Sequence, residues 1–228
     1  MAAVTAPISA PAPDRAPGAD PSLGDAEIVL VGGVAVPRYM TLDQFEAYPF
    51  PKAEPTELVL GEVRVSPLVS LAHSRIVRNL VWALETFVRA HKLGEVFGDS
   101  AAYALPNLPD TRRSPDVSFV RAGRLPELAP PRGAARVAPD LAVEVLSPSD
   151  TYVEVDERRE QMFAAGAACW WLVDPRRRRV EVHTPDGARR VAREGEALDG
   201  GPVLPGFSML VADVFDAVGP EPSPPAGA

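Results

Sequence analysis

The chain has 228 residues, a length that fits one domain with tails or two small domains. Hydrophobic residues make up 46% of it, enough for a full core, and no run of about 18 apolar residues predicts a transmembrane helix. The net charge of −8 argues against a simple nucleic-acid binder with a basic surface. It does not exclude a nuclease, because a local basic patch or a bound metal ion can supply positive charge.

Both ends of the chain are rich in alanine and proline and lack a hydrophobic period. We therefore expect disordered tails over residues 1–25 and 218–228, and one domain over residues 26–217. The N-terminal segment lacks the basic start and apolar core of a secretory signal. A single cysteine, Cys169, excludes an internal disulfide. These features favour a cytoplasmic protein without membrane association.

Hydrophobic periodicity, turn residues and helix caps predict the following elements in chain order. Ordered structure starts near Ala35, followed by a capped helix over 42–47, a hairpin over 58–65, a long helix over 71–92, strands at 95–97, 101–105 and 116–120, a loop over 121–138, a central strand over 140–146, a helix over 154–166, a strand over 169–173 with a hairpin partner at 180–183, and closing segments at 204–207 and 211–215. This order predicts a mixed α/β fold of the α+β type, with a central mixed sheet flanked by helices.

Two acidic residues stand out beside predicted central strands. Glu144 lies inside Leu-Ala-Val-Glu-Val-Leu, where burial of a carboxylate is costly unless it is paired or bound to metal. Asp116 opens a strand directly after Pro115. Taken alone, Glu144 could be an ion-paired glutamate and Asp116 could be a turn residue. Together, on neighbouring strands, they could give a hard divalent cation its oxygen ligands.

Three further residues are candidates for the same site. Glu57 precedes the hairpin and is preferred to Glu62, although a solvated hairpin residue is the plainer interpretation. His73 shares a helix face with apolar residues and is predicted to point inward, where a core or capping role is more common. Arg158 is the one charged residue on an apolar face of the second long helix, so we expect it to point toward the sheet unless it extends past the rim.

A series of motifs in fixed order resembles the Uma-two family, a group of proteins described as restriction endonucleases within the PD-(D/E)xK nuclease superfamily. The resemblance covers roughly residues 40 to 216, and the whole series is far more specific than any one piece. The motifs are Glu57-Leu-Val-Leu-Gly-Glu62, Leu71-Ala-His73-Ser-Arg-Ile76, Ser114-Pro-Asp116-Val117, Pro139-Asp-Leu-Ala-Val-Glu144-Val-Leu-Ser-Pro-Ser149, Ala165-Gly166, Trp171-Leu-Val-Asp-Pro175 and Leu204-Pro-Gly-Phe207.

The resemblance implies a restriction-endonuclease-like fold and a set of roles. Asp116 and Glu144 match the two acidic metal ligands, and Glu57 matches the acid that helps to hold the metal. The implied cofactor is Mg²⁺ or Mn²⁺, and the implied substrate is a nucleic acid, with DNA preferred. A homodimer is expected, since two-fold symmetry suits cleavage of both strands of a duplex.

One position departs from the family pattern. The family tends to place a lysine on the helix after the second acid, and that position is Arg158 here. Arginine stays protonated and cannot act as a general base, but it can stabilise charge on a phosphate or orient the attacking water. His73 could contact phosphate or support the site.

Two hypotheses therefore stay open: a metal-dependent nuclease, and a weakened or inactive member of the fold that binds nucleic acid or protein. A small-molecule enzyme on an unrelated fold is disfavoured, because the usual phosphate-loop and hydrolase motifs are absent. The run Arg176–Arg179 is predicted to lie in a solvated turn that could touch a phosphate backbone or a second subunit. Trp170 and Trp171 are predicted to lie on opposite sheet faces.

Overall fold

A computed structural model of the chain describes residues 27–52, 54–65, 69–128 and 133–217. The predicted tails, 1–25 and 218–228, lie outside the described residues, as does part of the predicted loop over 121–138. No helix in the described ranges combines the length and the apolar character needed to cross a lipid bilayer.

The described residues form runs of strands that are separated by helices. The helices are α1 (Leu42–Ala47), α2 (Leu71–His91), α3 (Tyr152–Ala164) and α4 (Val211–Val214). The strands are β1 (Ile28–Val31), β2 (Val34–Pro37), β3 (Thr56–Val59), β4 (Glu62–Val65), β5 (Gly94–Gly98), β6 (Tyr103–Ala104), β7 (Arg112–Arg113), β8 (Val117–Arg121), β9 (Leu141–Val145), β10 (Cys169–Asp174), β11 (Arg179–His183), β12 (Arg189–Arg193), β13 (Ala197–Gly200) and β14 (Leu204–Leu210).

A six-stranded sheet forms the centre of the fold. Its strands lie in the order β12-β11-β10-β9-β8-β5. Strands β9 and β10 pair in parallel, whereas β8 and β9 pair antiparallel, as do the other neighbours. The central strands are apolar on both sides because helices cover both faces. The predicted mixed sheet flanked by helices is confirmed.

The two tryptophans mark the two cores of this sheet. Trp171 packs in the core on the α2 side, and Trp170 packs in the core on the α3 side. Both side chains are fully buried. Their placement on opposite faces was predicted from strand alternation, and the covering layer on each face is a helix of the same chain.

Helix α2 contributes the apolar ridge that its sequence period predicted. Its residues Ile76, Leu80, Leu84 and Val88 are fully buried. Ser70 caps the first turn by accepting a hydrogen bond from the His73 N–H. This cap fixes the first turn of α2, and with it the position of His73.

A second, four-stranded sheet lies in the order β4-β3-β7-β6. Together with the β1–β2 hairpin and α1 it encloses a small separate core around Val36, Phe45 and Leu58. The expectation that ordered structure starts near Ala35 is wrong, since β1 begins at Ile28. Gly32 and Gly33 both have positive φ and make the tight turn of this hairpin. The second sheet carries Glu57 on β3.

Helix α3 begins two residues before the predicted start. Thr151 and Glu154 form a capping box at its N-terminus, and this pattern sets the true boundary. Within the predicted loop over 121–138, residues Ala122–Leu128 form a 3-10 helix. The early start of α3 brings its first turn close to the end of β9.

Candidate active site

Strand register brings the two predicted acidic ligands together. On β8 and β9, Val117 lies opposite Val143 and Ser118 lies opposite Ala142. One further step in this antiparallel register sets Asp116 opposite Glu144, where Cβ atoms are about 4.5–5.5 Å apart. Strand alternation puts both side chains on the face that α3 covers. The two carboxylates therefore come from neighbouring strands on one face of the sheet, and their role as metal ligands stays a prediction.

Asp116 is held in place from two directions. Its Oδ1 lies 3.0 Å from His73 Nε2 on α2. Its Oδ2 accepts a 2.7 Å hydrogen bond from the backbone N–H of Val145 on β9. Burial alone would lower the pKa of His73, but the hydrogen bond and negative charge of Asp116 outweigh burial and raise that pKa. His73 therefore points inward, as predicted, and orients the aspartate.

Glu144 is half-buried and makes no hydrogen bond or ion pair with any residue that the structure describes. Burial raises its pKa well above the ordinary value, and the charge of Asp116 and then of Glu57 raises it further. The positive charges of Arg158 and Arg113 act in the opposite direction but do not cancel the increase. A carboxylate in this setting is stabilised by any additional cation.

Arg158 extends from α3 toward this carboxylate, as its helix face predicted. Its Nη1 donates a 3.0 Å hydrogen bond to Asp150, which also accepts a 2.7 Å hydrogen bond from the Ser147 N–H. Burial tends to lower the pKa of Arg158, whereas Glu144, Asp150 and Glu57 raise it by a larger amount. The guanidinium is therefore fixed in position and stays protonated.

Glu57 reaches the site from the second sheet, with both carboxylate oxygens engaged. Oε2 accepts a 2.9 Å hydrogen bond from Arg113, and Oε1 accepts a 2.8 Å hydrogen bond from the Ser114 N–H. Arg113, whose side chain is only 4% exposed, also donates to Gln161 on α3. In this structure Glu57 links the small sheet to α3 through Arg113.

Sequence reasoning missed three residues that hold this site: Arg113, Asp150 and Gln161. Asp150 had a usable signal, because it directly follows Ser147-Pro-Ser149 and precedes the Thr151 cap. Arg113 and Gln161 had none, since a buried arginine in a loop-like segment cannot be told from an exposed one by its neighbours.

The candidate site offers only a few protein side chains as metal ligands. Within the described ranges, no group of three or more histidine, cysteine, aspartate or glutamate residues is arranged to hold a metal ion. The pair of Asp116 and Glu144 remains, and Mg²⁺ is commonly held by one or two carboxylates, with water and substrate phosphate as its other ligands. The role of Glu57 as a further ligand stays a prediction.

Residues 42–212 match the protein family described as "Uma2: Putative restriction endonuclease". This chain belongs to the Uma2 family. The match covers the acidic pair, Arg158 and His73, so the resemblance inferred from the motif series is confirmed. No curated protein matches the chain.

A solved structure shows the same fold. It is the crystal structure of a protein described as a putative nuclease belonging to DUF820, from Anabaena variabilis ATCC 29413. The superposition has a TM-score of 0.67 with 22% sequence identity, and it covers 77% of this chain and 97% of that chain. At this identity the likeness establishes the fold of the Uma2 domain, and the chemistry rests on the residues of this chain.

Proposed function

We propose that the chain is a divalent-metal-dependent endonuclease that hydrolyses phosphodiester bonds, with DNA as its substrate. The observation that carries this proposal is the cross-strand placement of Asp116 and Glu144 on one sheet face. Glu144 has no partner among the described residues although its surroundings disfavour its charge. Membership in the Uma2 family supports a nuclease over other uses of such an acidic pair.

Asp116 and Glu144 are the residues that would hold Mg²⁺ or Mn²⁺, with Glu57 as a third candidate. When bound, the ion would neutralise phosphate charge and make a water molecule more acidic. Asp116 retains lone pairs for this role, since its contacts with His73 and Val145 use one direction on each oxygen.

Other side chains, which the fold holds rigidly, would stabilise charge and orient the carboxylates. Arg158, fixed by Asp150, offers a permanent positive charge to a phosphate bound beside Glu144. Such a preorganised charge stabilises the extra negative charge of the transition state. His73 fixes the direction of the Asp116 carboxylate, and Arg113 fixes Glu57. Arg158 cannot act as the general base, because arginine does not deprotonate.

One observation favours the second hypothesis, a binding module without cleavage. The family's lysine position is occupied by Arg158, and the neighbouring acids raise the pKa of this arginine further. The chain's two lysines, Lys52 and Lys92, are both exposed, and neither forms an ion pair within the described part of the chain. If Arg158→Lys greatly increases cleavage, the natural protein is a weakened enzyme.

The test is cleavage of plasmid DNA, single-stranded DNA and RNA with Mg²⁺ or Mn²⁺, and with EDTA as the blank. Asp116→Ala and Glu144→Ala should each abolish cleavage. Asp199→Ala is the matched control, because that acid lies on β13 in an exposed ion pair with Arg190. Cleavage that survives both site substitutions, or no cleavage by either the natural protein or Arg158→Lys, overturns the proposal.

A homodimer remains a prediction tied to duplex cleavage. Two active sites related by two-fold symmetry suit the two strands of a duplex. Sedimentation equilibrium with and without duplex DNA measures the oligomeric state, and a monomer under both conditions would contradict the prediction.

A further inference from the structure

Exposed apolar side chains lie on the first turns of α2 and α3, the helices that carry His73 and Arg158. Leu71, on the first turn of α2 beside His73, is 78% exposed. Tyr152 and Val153, on the first turn of α3, are 73% and 79% exposed. A singly exposed apolar side chain needs no explanation by itself, so the neighbours of each one decide whether it can bind a ligand.

Tyr152 is tied to the candidate site by a short chain of contacts. It directly follows Thr151, the cap of α3, and lies two residues after Asp150. Asp150 holds Arg158, and Arg158 interacts electrostatically with Glu144. Tyr152 therefore lies at the N-terminal end of the helix that carries Arg158.

One arginine of the β10–β11 turn contacts this tyrosine, and the residue before it in the chain is a second arginine. The Nη1 atom of Arg177 is 3.5 Å from the Tyr152 hydroxyl and 3.1 Å from Asp174 Oδ2. Arg176 is exposed and makes no hydrogen bond or ion pair with any residue that the structure describes. Since β10 is two strands away from β8, the two strands lie about 10 Å apart across the sheet.

Of the acids near Tyr152 in the chain, two are already paired with arginines, whereas Glu154 keeps its charge. Glu154 accepts hydrogen bonds from Thr151 in the capping box, and Asp156 pairs with Arg159 at 2.8 Å. Asp174 is buried and already paired with Arg177. Arg176 therefore has no ion-pair partner among the described residues, and its neighbour in the chain, Arg177, contacts the Tyr152 hydroxyl.

We propose that Tyr152, Arg176 and Arg177 bind a single nucleic-acid strand beside the acidic pair, with an unpaired base stacked on Tyr152. This inference rests on the proposed function and names its substrate class as nucleic acid with unpaired bases. An aromatic platform beside arginines is the usual means of binding single strands, because every base has a face that can stack. A base inside a duplex is already stacked and is not available to the ring.

The experiment measures binding without cleavage, by fluorescence anisotropy in EDTA. The probes are a labelled 20-nucleotide single-stranded DNA, the same strand as a duplex, and single-stranded RNA of the same sequence. Tyr152→Ala should weaken single-strand binding by roughly 5- to 100-fold, whereas Tyr152→Phe should stay within about twofold. Arg176→Ala should reduce the slope of log affinity against log salt by about 0.7, the value for one phosphate contact on a single strand.

Trp82→Ala is the matched control, because Trp82 is 76% exposed but lies three turns into α2. The proposal is overturned if Tyr152→Ala leaves single-strand affinity unchanged, weakens duplex binding equally, or has no more effect than Trp82→Ala. Binding that depends on Tyr152 in a protein that does not cleave supports this inference and removes the proposed function. If the protein cleaves every probe and Tyr152→Ala does not change that cleavage, the proposed function stands and this inference is wrong. If the affinity for single-stranded RNA depends on Tyr152 to the same extent, the result supports base stacking as chemistry that DNA and RNA share.

Discussion

The carboxylate of Asp116 accepts a 2.7 Å hydrogen bond from the backbone N–H of Val145, the residue directly after Glu144. This bond ties the aspartate to the strand that carries its partner acid. A register slip of one residue would move Glu144 to the other face of the sheet. The geometry of the acidic pair is therefore set by the β8–β9 pairing, with His73 holding the second oxygen of Asp116.

Glu144→Gln should stabilise the metal-free protein at pH 8. Because the folded-state pKa of Glu144 is raised, the free energy of unfolding falls as pH rises from the ordinary value through that raised pKa. Glutamine does not ionise and avoids this loss. Thermal melts in EDTA should show a melting temperature higher by a few degrees at pH 8, since about 1 kcal/mol corresponds to roughly 2–4 °C, and a smaller difference near pH 5.

The control for this measurement is Glu160→Gln, an exposed acid on α3 with no ion pair among the described residues. It should change the melting temperature little at either pH. Added Mn²⁺ should stabilise the natural protein and not Glu144→Gln. A lower melting temperature for Glu144→Gln at pH 8 in EDTA would show that the carboxylate is favourably paired.

Glu57→Ala should destabilise the fold even without metal. It leaves the guanidinium of Arg113, 4% exposed, with Gln161 as its main remaining partner. Loss of one partner of a buried pair costs about 3–5 kcal/mol. Denaturant unfolding measures the change, and Asp199→Ala, which breaks an exposed pair, should cost less than about 1 kcal/mol. Equal effects would place Glu57 outside the structural network.

Arg158→Ala should slow cleavage by about 10²–10³-fold, the usual effect of removing one preorganised transition-state donor. Arg159→Ala is the matched control, because both arginine side chains are 23% exposed but Arg159 pairs with Asp156 on the same helix. Single-turnover kinetics separate this effect from substrate binding. Similar losses from both substitutions would mean that Arg158 contributes only general positive charge.

In EDTA, His73→Asn should lower the free energy of unfolding more at pH 6 than at pH 9. The raised folded-state pKa means that protonated His73 contributes stability below its ordinary pKa, and that this contribution is lost as pH rises through the raised value. His91→Asn, at the exposed end of the same helix, is the control for replacing a histidine of α2. A cost for His73→Asn that is the same at both pH values would mean that the imidazole acts only by packing.

Much of the fold could be predicted from the sequence where the hydrophobic pattern of an element matches its burial in the folded protein. The four buried residues of α2 recur at helical spacing, and the apolar run around Glu144 predicts a strand covered on both faces. The β1–β2 hairpin was missed although Gly32-Gly33 lies between two apolar segments, a recognisable turn signal. Strand β12 was missed because Arg189–Arg193 is an edge strand rich in charge, and edge strands carry little apolar pattern.

The candidate site was predictable as a set of residues and not as a geometry. The cost of burying a carboxylate among apolar residues pointed to Glu144. The positions of His73 and Arg158 on their helices indicated the direction of their side chains. The antiparallel pairing that sets Asp116 opposite Glu144 depends on which strands become neighbours, and local sequence does not encode this. Arg113 is buried only because Glu57 and Gln161 arrive from distant parts of the chain.

The most direct test is the location of a manganese ion by anomalous diffraction from crystals grown with Mn²⁺. The account predicts an anomalous peak between the side chains of Asp116 and Glu144, with a carboxylate oxygen of each within about 2.0–2.6 Å of the ion. Crystals of Glu144→Gln should show a weaker peak or none. A peak elsewhere in the natural protein, or no peak at saturating Mn²⁺, would contradict a metal centre built on these two carboxylates.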